Sequence, residues 1–434
     1  MLYTILKFIS RIAVNVYYRK IAIENIENLP QKGAILVVAN HPNTLMDPIV
    51  TALLFNEQLH FLANASLFRK PVHNWIMTKL LNMIPIFRKQ DLRNASDLNE
   101  NKAIFQKCYE FLAKQGFILI FPEGTSFSER RLRPLKTGAA RIALGGQDLT
   151  NIKIAIVGLN YSDPVSFRSD LFINIGKTIY IKNFMETNEQ KTNKAALSLS
   201  QEIEKELKGL IIHTETPEED QLIRILEYLY KTKKTSLKEN FLETQHIIKA
   251  WKEFEAQNPE KSELVAQNLR QFDTLLTKNK LKIDQLSPNF RIKVVDILYL
   301  LAFPLAALGA FFNYLPYKIP DWVAKKLTKD IEFHAPIRML IGIVSFSFFY
   351  AFWGIFFYFF ILKSFYFVFF LVILPLLGSI SLRYTESLEK LMSLLNRQKL
   401  AKKGILEEIF EKKCQIDLDL EEWQKIWNTL PKNK

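Results

Sequence analysis

Between about residues 31 and 182 the chain alternates short apolar runs with mixed amphipathic stretches. The runs 34–39, 59–63, 117–121, 153–159 and 171–180 have strand length and are rich in Ile, Val, Leu and Phe. Near-continuous apolar runs of this kind are typical of strands covered on both faces. Between them, 46–56, 72–83, 98–115 and 136–146 carry helical spacing; Ile104, Cys108, Phe111 and Leu112 share one side of the third. Strands alternating with helices predict an α/β fold, a mostly parallel sheet covered by helices, over residues 31–185.

The flanking patterns differ. In residues 1–30, Lys7, Arg11, Asn15 and Arg19 recur every four positions opposite Leu2, Ile5, Phe8, Ile9, Ile12, Val16 and Tyr17. That is a helix packed on a core or lying in a membrane interface; the flanking cations favour an interfacial amphipathic helix. Lys7 and Arg11 break the apolar run and no small-residue cleavage site follows, so it does not read as a signal peptide. Residues 186–290 turn to Lys, Glu, Gln, Leu and Ile at helical spacing, a helical linker or subdomain of three or four helices. Its Pro217-Glu218-Glu219-Asp220 suits a first helical turn.

Residues 340–362 and 364–382 hold no charge, and only Lys363 separates them. Each is long enough to cross a bilayer, which predicts a transmembrane hairpin over 340–382. The earlier run Ile297–Phe312 is shorter and contains Pro304, so 291–339 reads as a re-entrant or interfacial segment followed by a basic amphipathic loop. Residues 383–434 form a basic helical tail. With 317–338 and the tail both basic, a cytoplasmic position for both requires two crossings; three full crossings are the alternative.

Composition narrows the partners. Lys and Arg outnumber Asp and Glu, 58 to 44, giving a net charge of +14. Beside apolar spans, that surplus points to anionic lipid or a phosphorylated substrate. No basic helix or aromatic-basic sheet motif points to nucleic acid. Cys108 and Cys414 have no spacing for a disulfide framework, and no metal-ligand cluster is present.

The chemistry gathers after two of the apolar runs. Asn40-His41-Pro42-Asn43-Thr44-Leu45-Met46-Asp47-Pro48 follows the run 34–39, and Phe121-Pro122-Glu123-Gly124-Thr125-Ser126 follows 117–120. In open α/β sheets, sites form beyond the carboxyl ends of strands. His suits proton abstraction near neutral pH, and a nearby carboxylate can hold its tautomer. On one continuous helix Asp47 would not share a face with His41. Pro42 disfavours helix at Asn40-His41 and marks a start beyond it, so His41 can sit in a loop and pair with Asp47 on the new helix.

Together these motifs resemble the glycerolipid acyltransferase superfamily, in which an acyl chain passes from a thioester to a glycerol-phosphate hydroxyl. The resemblance covers roughly residues 30–180. It implies that His41 is the general base, that Asp47 orients it, and that Glu123, Gly124, Thr125 and Ser126 help bind the phosphorylated acceptor. The usual first motif places four residues between His and Asp; this chain has five. That spacing, with HxN and DP, is similar to the branch acting on glycerol 3-phosphate or dihydroxyacetone phosphate. Ile84-Pro85-Ile86-Phe87-Arg88-Lys89 resembles the second motif, giving Arg88 the acceptor phosphate, a role suited to guanidinium geometry. Lys136, after Arg130, Arg131 and Arg133, resembles a helix-entry cation that adds to the phosphate field. The fourth motif, usually an apolar strand ending in Pro, falls on Ile156–Tyr161 without its Pro and is read as core or acyl-pocket packing.

The resemblance implies an O-acyltransferase of phospholipid synthesis with no cofactor beyond its co-substrate, acyl-CoA or acyl carrier protein. Lysophosphatidate is the rival acceptor, and a non-catalytic membrane-anchored interaction protein is a reading of another class. Expected partners are the bilayer, the thioester donor and the glycerol acceptor. The expected location is an integral membrane protein with its catalytic domain on the cytoplasmic face, at the inner membrane in a bacterium.

Overall fold

All five apolar runs lie in one sheet. The computed structural model describes residues 2–68, 71–75, 77–78, 82–86, 95–187, 193–231, 236–287, 290–360 and 367–431. Its strands are β1 (Lys20–Glu24), β2 (Ala34–Ala39), β3 (Leu59–Asn64), β4 (Met83–Ile86), β5 (Phe117–Ile120), β6 (Ile152–Tyr161), β7 (Asp170–Ile175) and β8 (Ile179–Tyr180). The order is β1-β7-β6-β2-β5-β3-β4, with β8 also on β6. Described neighbours run parallel except where β7 and β8 meet β6.

The helices of this unit are α1 (Leu2–Tyr17), α2 (Met46–Ala52), α3 (Pro71–Trp75), α4 (Ala95–Ala113), α5 (Gly138–Gly146), α6 (Ile181–Thr187) and α7 (Asn193–Leu210). Alternate strand residues divide between two cores. Leu36, Val38, Ile118, Ile120, Ile154 and Ile156 pack with residues of α4, α5 and α7 on one face. Ile35, Val37, Ala39, Leu119, Ala155 and Val157 pack with α2 and the end of α1 on the other. Every β2 side chain is buried, so the strand that carries His41 is held from both sides. At about 1.5–3 kcal/mol per buried large aliphatic side chain, β2 is a rigid mount for the His41 loop.

Several elements differ from the sequence expectation. Residues 1–30 are not one helix: α1 ends at Tyr17, and Lys20–Glu24 pairs parallel with β7. The alternation of Lys20-Ile21-Ala22-Ile23-Glu24 is strand-like, and the preceding helical stripe hides it. Within α1, Lys7 donates to the Phe55 carbonyl while Leu2, Ile5, Phe8, Ile12 and Val16 stay exposed. The expected strand 171–180 breaks after Ile175, where the Gly176 amide bonds the Ile156 carbonyl, and Ile179–Tyr180 resumes antiparallel pairing further along β6. Of the expected helix 72–83, the described part includes α3, residues 76 and 79–81 lie outside the described residues, and Met83–Ile86 is a strand beside β3. Pro85 is tolerated there because no described strand lies on β4's outer side. The α/β unit also extends past 185 to Thr214, because α7 buries Ala196, Leu199, Ile203 and Leu207 in the sheet's core. Residues 328–339 return to this unit, burying Ala335 and Met339.

The second unit comprises residues 215–327 and 340–434. Its helices are α8 (Pro217–Tyr230), α9 (Leu237–Gln257), α10 (Pro259–Lys278), α11 (Val294–Leu301), α12 (Phe303–Leu327), the rest of α13 (His334–Phe360), α14 (Phe367–Lys402), α15 (Ile405–Asp419) and α16 (Glu421–Thr429). Pro217 opens α8 as expected, and the Thr216 hydroxyl accepts the Glu219 amide as its cap. α13 and α14 are long and apolar enough to cross a membrane, while α11 and α12 pass that test only together, across a 66° bend. α14 runs through Arg383 without a break, so the expected boundary between hairpin and tail falls inside one helix. Lys363, the expected hairpin tip, lies outside the described residues. Asn313 of α12 is buried among these helices; it donates to the Gly309 and Leu374 carbonyls and accepts from the Tyr350 hydroxyl.

Candidate active site

β2 and β5 are parallel neighbours with Val38 opposite Ile120, so the segments following them leave the sheet at the same carboxyl edge. Asn40 fixes the first of these exits. Its side chain accepts the Leu159 amide (2.7 Å) and donates to the Leu159 carbonyl (2.9 Å), clamping the end of β2 to β6. Asn40→Ala strands both backbone groups in a buried place and is expected to cost about 2 kcal/mol, seen as a lower thermal midpoint in detergent.

The chain then turns. Met46 donates its amide to the Asn43 carbonyl (2.8 Å), and the Asn43 side chain donates to the Pro164 carbonyl (2.6 Å). Thr44 sits at φ +28°, a strained conformation for a β-branched residue, and its hydroxyl donates to the Glu332 carbonyl (2.8 Å). This turn accommodates the five residues between His41 and Asp47, placing His41 in the loop and Asp47 in the first turn of α2.

There the two side chains meet. His41 Nδ1 lies 2.8 Å from Asp47 Oδ2. Asp47 is fully buried, whereas the His41 side chain keeps 18% of its exposure. A carboxylate can only accept, so Nδ1 carries the hydrogen and the Nε2 lone pair is left for an incoming proton. Oδ2 also accepts the Asn43 amide (2.7 Å), and Oδ1 accepts the Tyr161 hydroxyl (2.7 Å). The imidazole lies flat on Phe121, ring centroids 3.9 Å apart and planes 9° from parallel.

Glu123 joins the two loops. Its Oε1 accepts the His41 amide (2.8 Å) and its Oε2 the Arg133 amide (2.9 Å). Burial pushes its carboxyl above the ordinary 4.5, against the opposing pull of those two amides and of His41. Both oxygens are thus engaged by backbone, and the carboxylate braces the His41 loop. Gly124 follows at φ +76°, where glycine is strain-free, and the Lys136 side chain lies against its open side. Lys136 also donates its amide to the Pro122 carbonyl (2.9 Å), which holds the entry to α5 beside this turn. Thr125 and Ser126 are half-buried in the same turn. Arg131 and Arg133 pair with Glu129, and the Arg133 guanidinium stacks over Phe127 at 4.2 Å. Arg88 and Lys89 lie outside the described residues. Among the described residues no cluster could hold a metal ion.

A family model described as Acyltransferase matches residues 20–162, which span both motifs and most of the sheet. The chain is 26% identical over 201 residues to a chloroplastic 1-acyl-sn-glycerol-3-phosphate acyltransferase of Brassica napus, covering 44% of this chain and 56% of that protein. It is 32% identical over 139 residues to a glycerol-3-phosphate O-acyltransferase of Saccharomyces cerevisiae, covering 31% of this chain and 18% of that protein. Residues 20–162 thus carry an Acyltransferase-family domain, and the chain spans about half the length or less of these two relatives. A solved structure, the 1-acyl-sn-glycerophosphate acyltransferase of Thermotoga maritima, aligns at 21% identity and a TM-score of 0.35, over 48% of this chain and 77% of that one.

Two features of the acyltransferase domain escape a reading by motif. The motif places Tyr161 in packing with the rest of β6, yet its hydroxyl is on Asp47. The only signal is a lone phenol closing an apolar strand. The motif gives Glu123 to the acceptor, and nothing in FPEG distinguishes that from a carboxylate serving the backbone.

Proposed function

We propose that this chain transfers a fatty acyl group from a thioester, acyl-CoA or acyl carrier protein, to the hydroxyl of glycerol 3-phosphate or dihydroxyacetone phosphate. The observation that carries this reading is the His41–Asp47 pair, braced by Glu123 at the carboxyl edge of the sheet. His41 Nε2 takes the hydroxyl proton as the acceptor oxygen attacks the thioester carbonyl. The tetrahedral intermediate collapses, and the leaving thiolate recovers the proton from His41. Asp47 holds the imidazole's tautomer and offsets its positive charge. Lys136, Arg88 and the 124–126 turn supply the field for the acceptor phosphate. No Ser or Cys in the motif is needed to carry the acyl group, so transfer is direct.

A 1-acyl-glycerol 3-phosphate acceptor is the second reading, favoured by the function named for the Brassica relative. The apolar helices α13 and α14 support release of the product at a bilayer, and the basic 317–338 segment and tail support a cytoplasmic orientation. The exposed apolar stripe of α1 supports contact with a membrane surface. The deciding experiment offers the purified protein acyl-CoA or acyl carrier protein with glycerol 3-phosphate, dihydroxyacetone phosphate or lysophosphatidate in turn. The highest kcat/KM is expected with an unacylated acceptor. Turnover of lysophosphatidate alone would move the assignment to the second reading, and turnover of none would overturn both.

A further inference from the structure

Asp47 is fully buried, and its two oxygens collect three donors. Two of them, His41 and Asn43, belong to its own loop. The third, the Tyr161 hydroxyl, arrives from a strand 114 positions away. The sheet delivers it: β6 lies beside β2 with Val157 opposite Ala39, and Asn40 locks Leu159 in place two residues before Tyr161. Tyr161 is itself buried, its ring 5.6 Å from that of Tyr18. A buried carboxylate is costly unless each oxygen is hydrogen-bonded. Without Tyr161, Oδ1 has no hydrogen bond among those described, and the carboxylate is free to turn about its own axis.

We propose that Tyr161 is a positioning residue of the acyl-transfer site, holding the Asp47 carboxylate so that Oδ2 faces His41 Nδ1 and weakening the dyad's grip on a proton. This rests on His41 acting as the base. Burial and the neighbouring Asp47 charge keep the Tyr161 hydroxyl protonated far above neutral pH, so it is a permanent donor. The titratable groups facing Asp47 are His41 from its loop, Tyr161 from β6, Tyr18 beyond α1 and Glu123 after β5. Of these, only Tyr161 and His41 place a hydrogen-bonding side-chain atom on the carboxylate among the described contacts. A donor stabilises the dyad most when it carries net negative charge, with His41 neutral. Removing that donor therefore leaves the dyad's negative charge less well held.

Tyr161→Phe keeps the ring and deletes only the hydroxyl. It is expected to lower kcat about tenfold, leave both KM values within twofold, and move the acidic limb of the kcat–pH profile up by about one unit. Tyr161→3-fluorotyrosine, whose more acidic phenol donates more strongly, should move that limb the other way, and it gives a readout even if the Phe variant accumulates poorly. An unshifted limb in both variants, or a change confined to KM, overturns the proposal. His41→Ala serves as the control. If it stays active, the acyltransferase reading itself falls; if it is dead while Tyr161→Phe matches the parent, only the role of Tyr161 falls.

Discussion

His41→Ala is expected to lower kcat/KM by about 10^3-fold with every acceptor, the contribution of a well-placed general base. The acceptor hydroxyl is too weakly acidic to attack a thioester unless its proton leaves in the same step. In the described site the imidazole is held on three sides: Nδ1 on Asp47, ring stacked on Phe121, and its backbone amide on Glu123. Alanine removes the base but keeps that backbone amide, so the loop and membrane attachment should survive, with a thermal midpoint close to the parent's. Asp47→Asn tests the same unit from its buried side. An amide has one acceptor oxygen where the carboxylate has two, so its NH2 must face the His41 Nδ1 hydrogen, the Asn43 amide or the Tyr161 hydroxyl. Where the NH2 faces His41 the imidazole takes the other tautomer; where it faces the Tyr161 hydroxyl, which can turn to accept, the imidazole keeps its tautomer but loses the carboxylate's charge, and activity should fall in either case. A His41→Ala protein retaining more than a tenth of the parent activity would remove the base assignment.

What the sequence makes legible here is local. Pro42 after a buried strand announces a loop, so the pairing of His41 with Asp47 follows from short-range chain geometry. So do the carboxyl-edge position of both motifs and the helical start at Pro217. Contacts that depend on strand order are not legible, because periodicity says which segments are strands but not which ones are neighbours. Asn40 finds Leu159, and Asp47 finds Tyr161, only because β6 lies beside β2. The same limit hides the return of 328–339, where Glu332 offers a backbone carbonyl to Thr44 across 288 positions. β1 and β4 escape for a different reason. Each is short, and a stronger neighbouring signal, the stripe of α1 or the Pro-containing second motif, covers its alternation.

Glu123→Ala should damage both stability and turnover, because the carboxylate terminates two amides that lie on different loops. Leaving the His41 and Arg133 amides unpaired costs about 1–3 kcal/mol each, so a loss of about 3 kcal/mol is expected in detergent-solubilised unfolding. With the brace gone, His41 is no longer fixed over Phe121, and kcat should fall about 10^2-fold. Glu123→Gln separates this from an acceptor-binding role. Glutamine can accept one of the two amides but must turn its NH2 toward the other, so it too loses kcat and stability. A residue that only held the acceptor would raise the acceptor KM and leave unfolding unmoved, and that result would return Glu123 to substrate binding. The pH dependence has a definite sign. Because burial raises the folded carboxyl's pKa above the ordinary 4.5, the folded chain holds this proton more tightly than the unfolded one. The resulting stabilisation is present below pH 4.5 and fades as pH rises through the raised value. Glutamine does not titrate, so the stability gap between parent and Glu123→Gln should narrow as pH climbs through that window. A gap that widens instead would mean that the two amides and His41 outweigh burial, leaving Glu123 a carboxylate stabilised by its site.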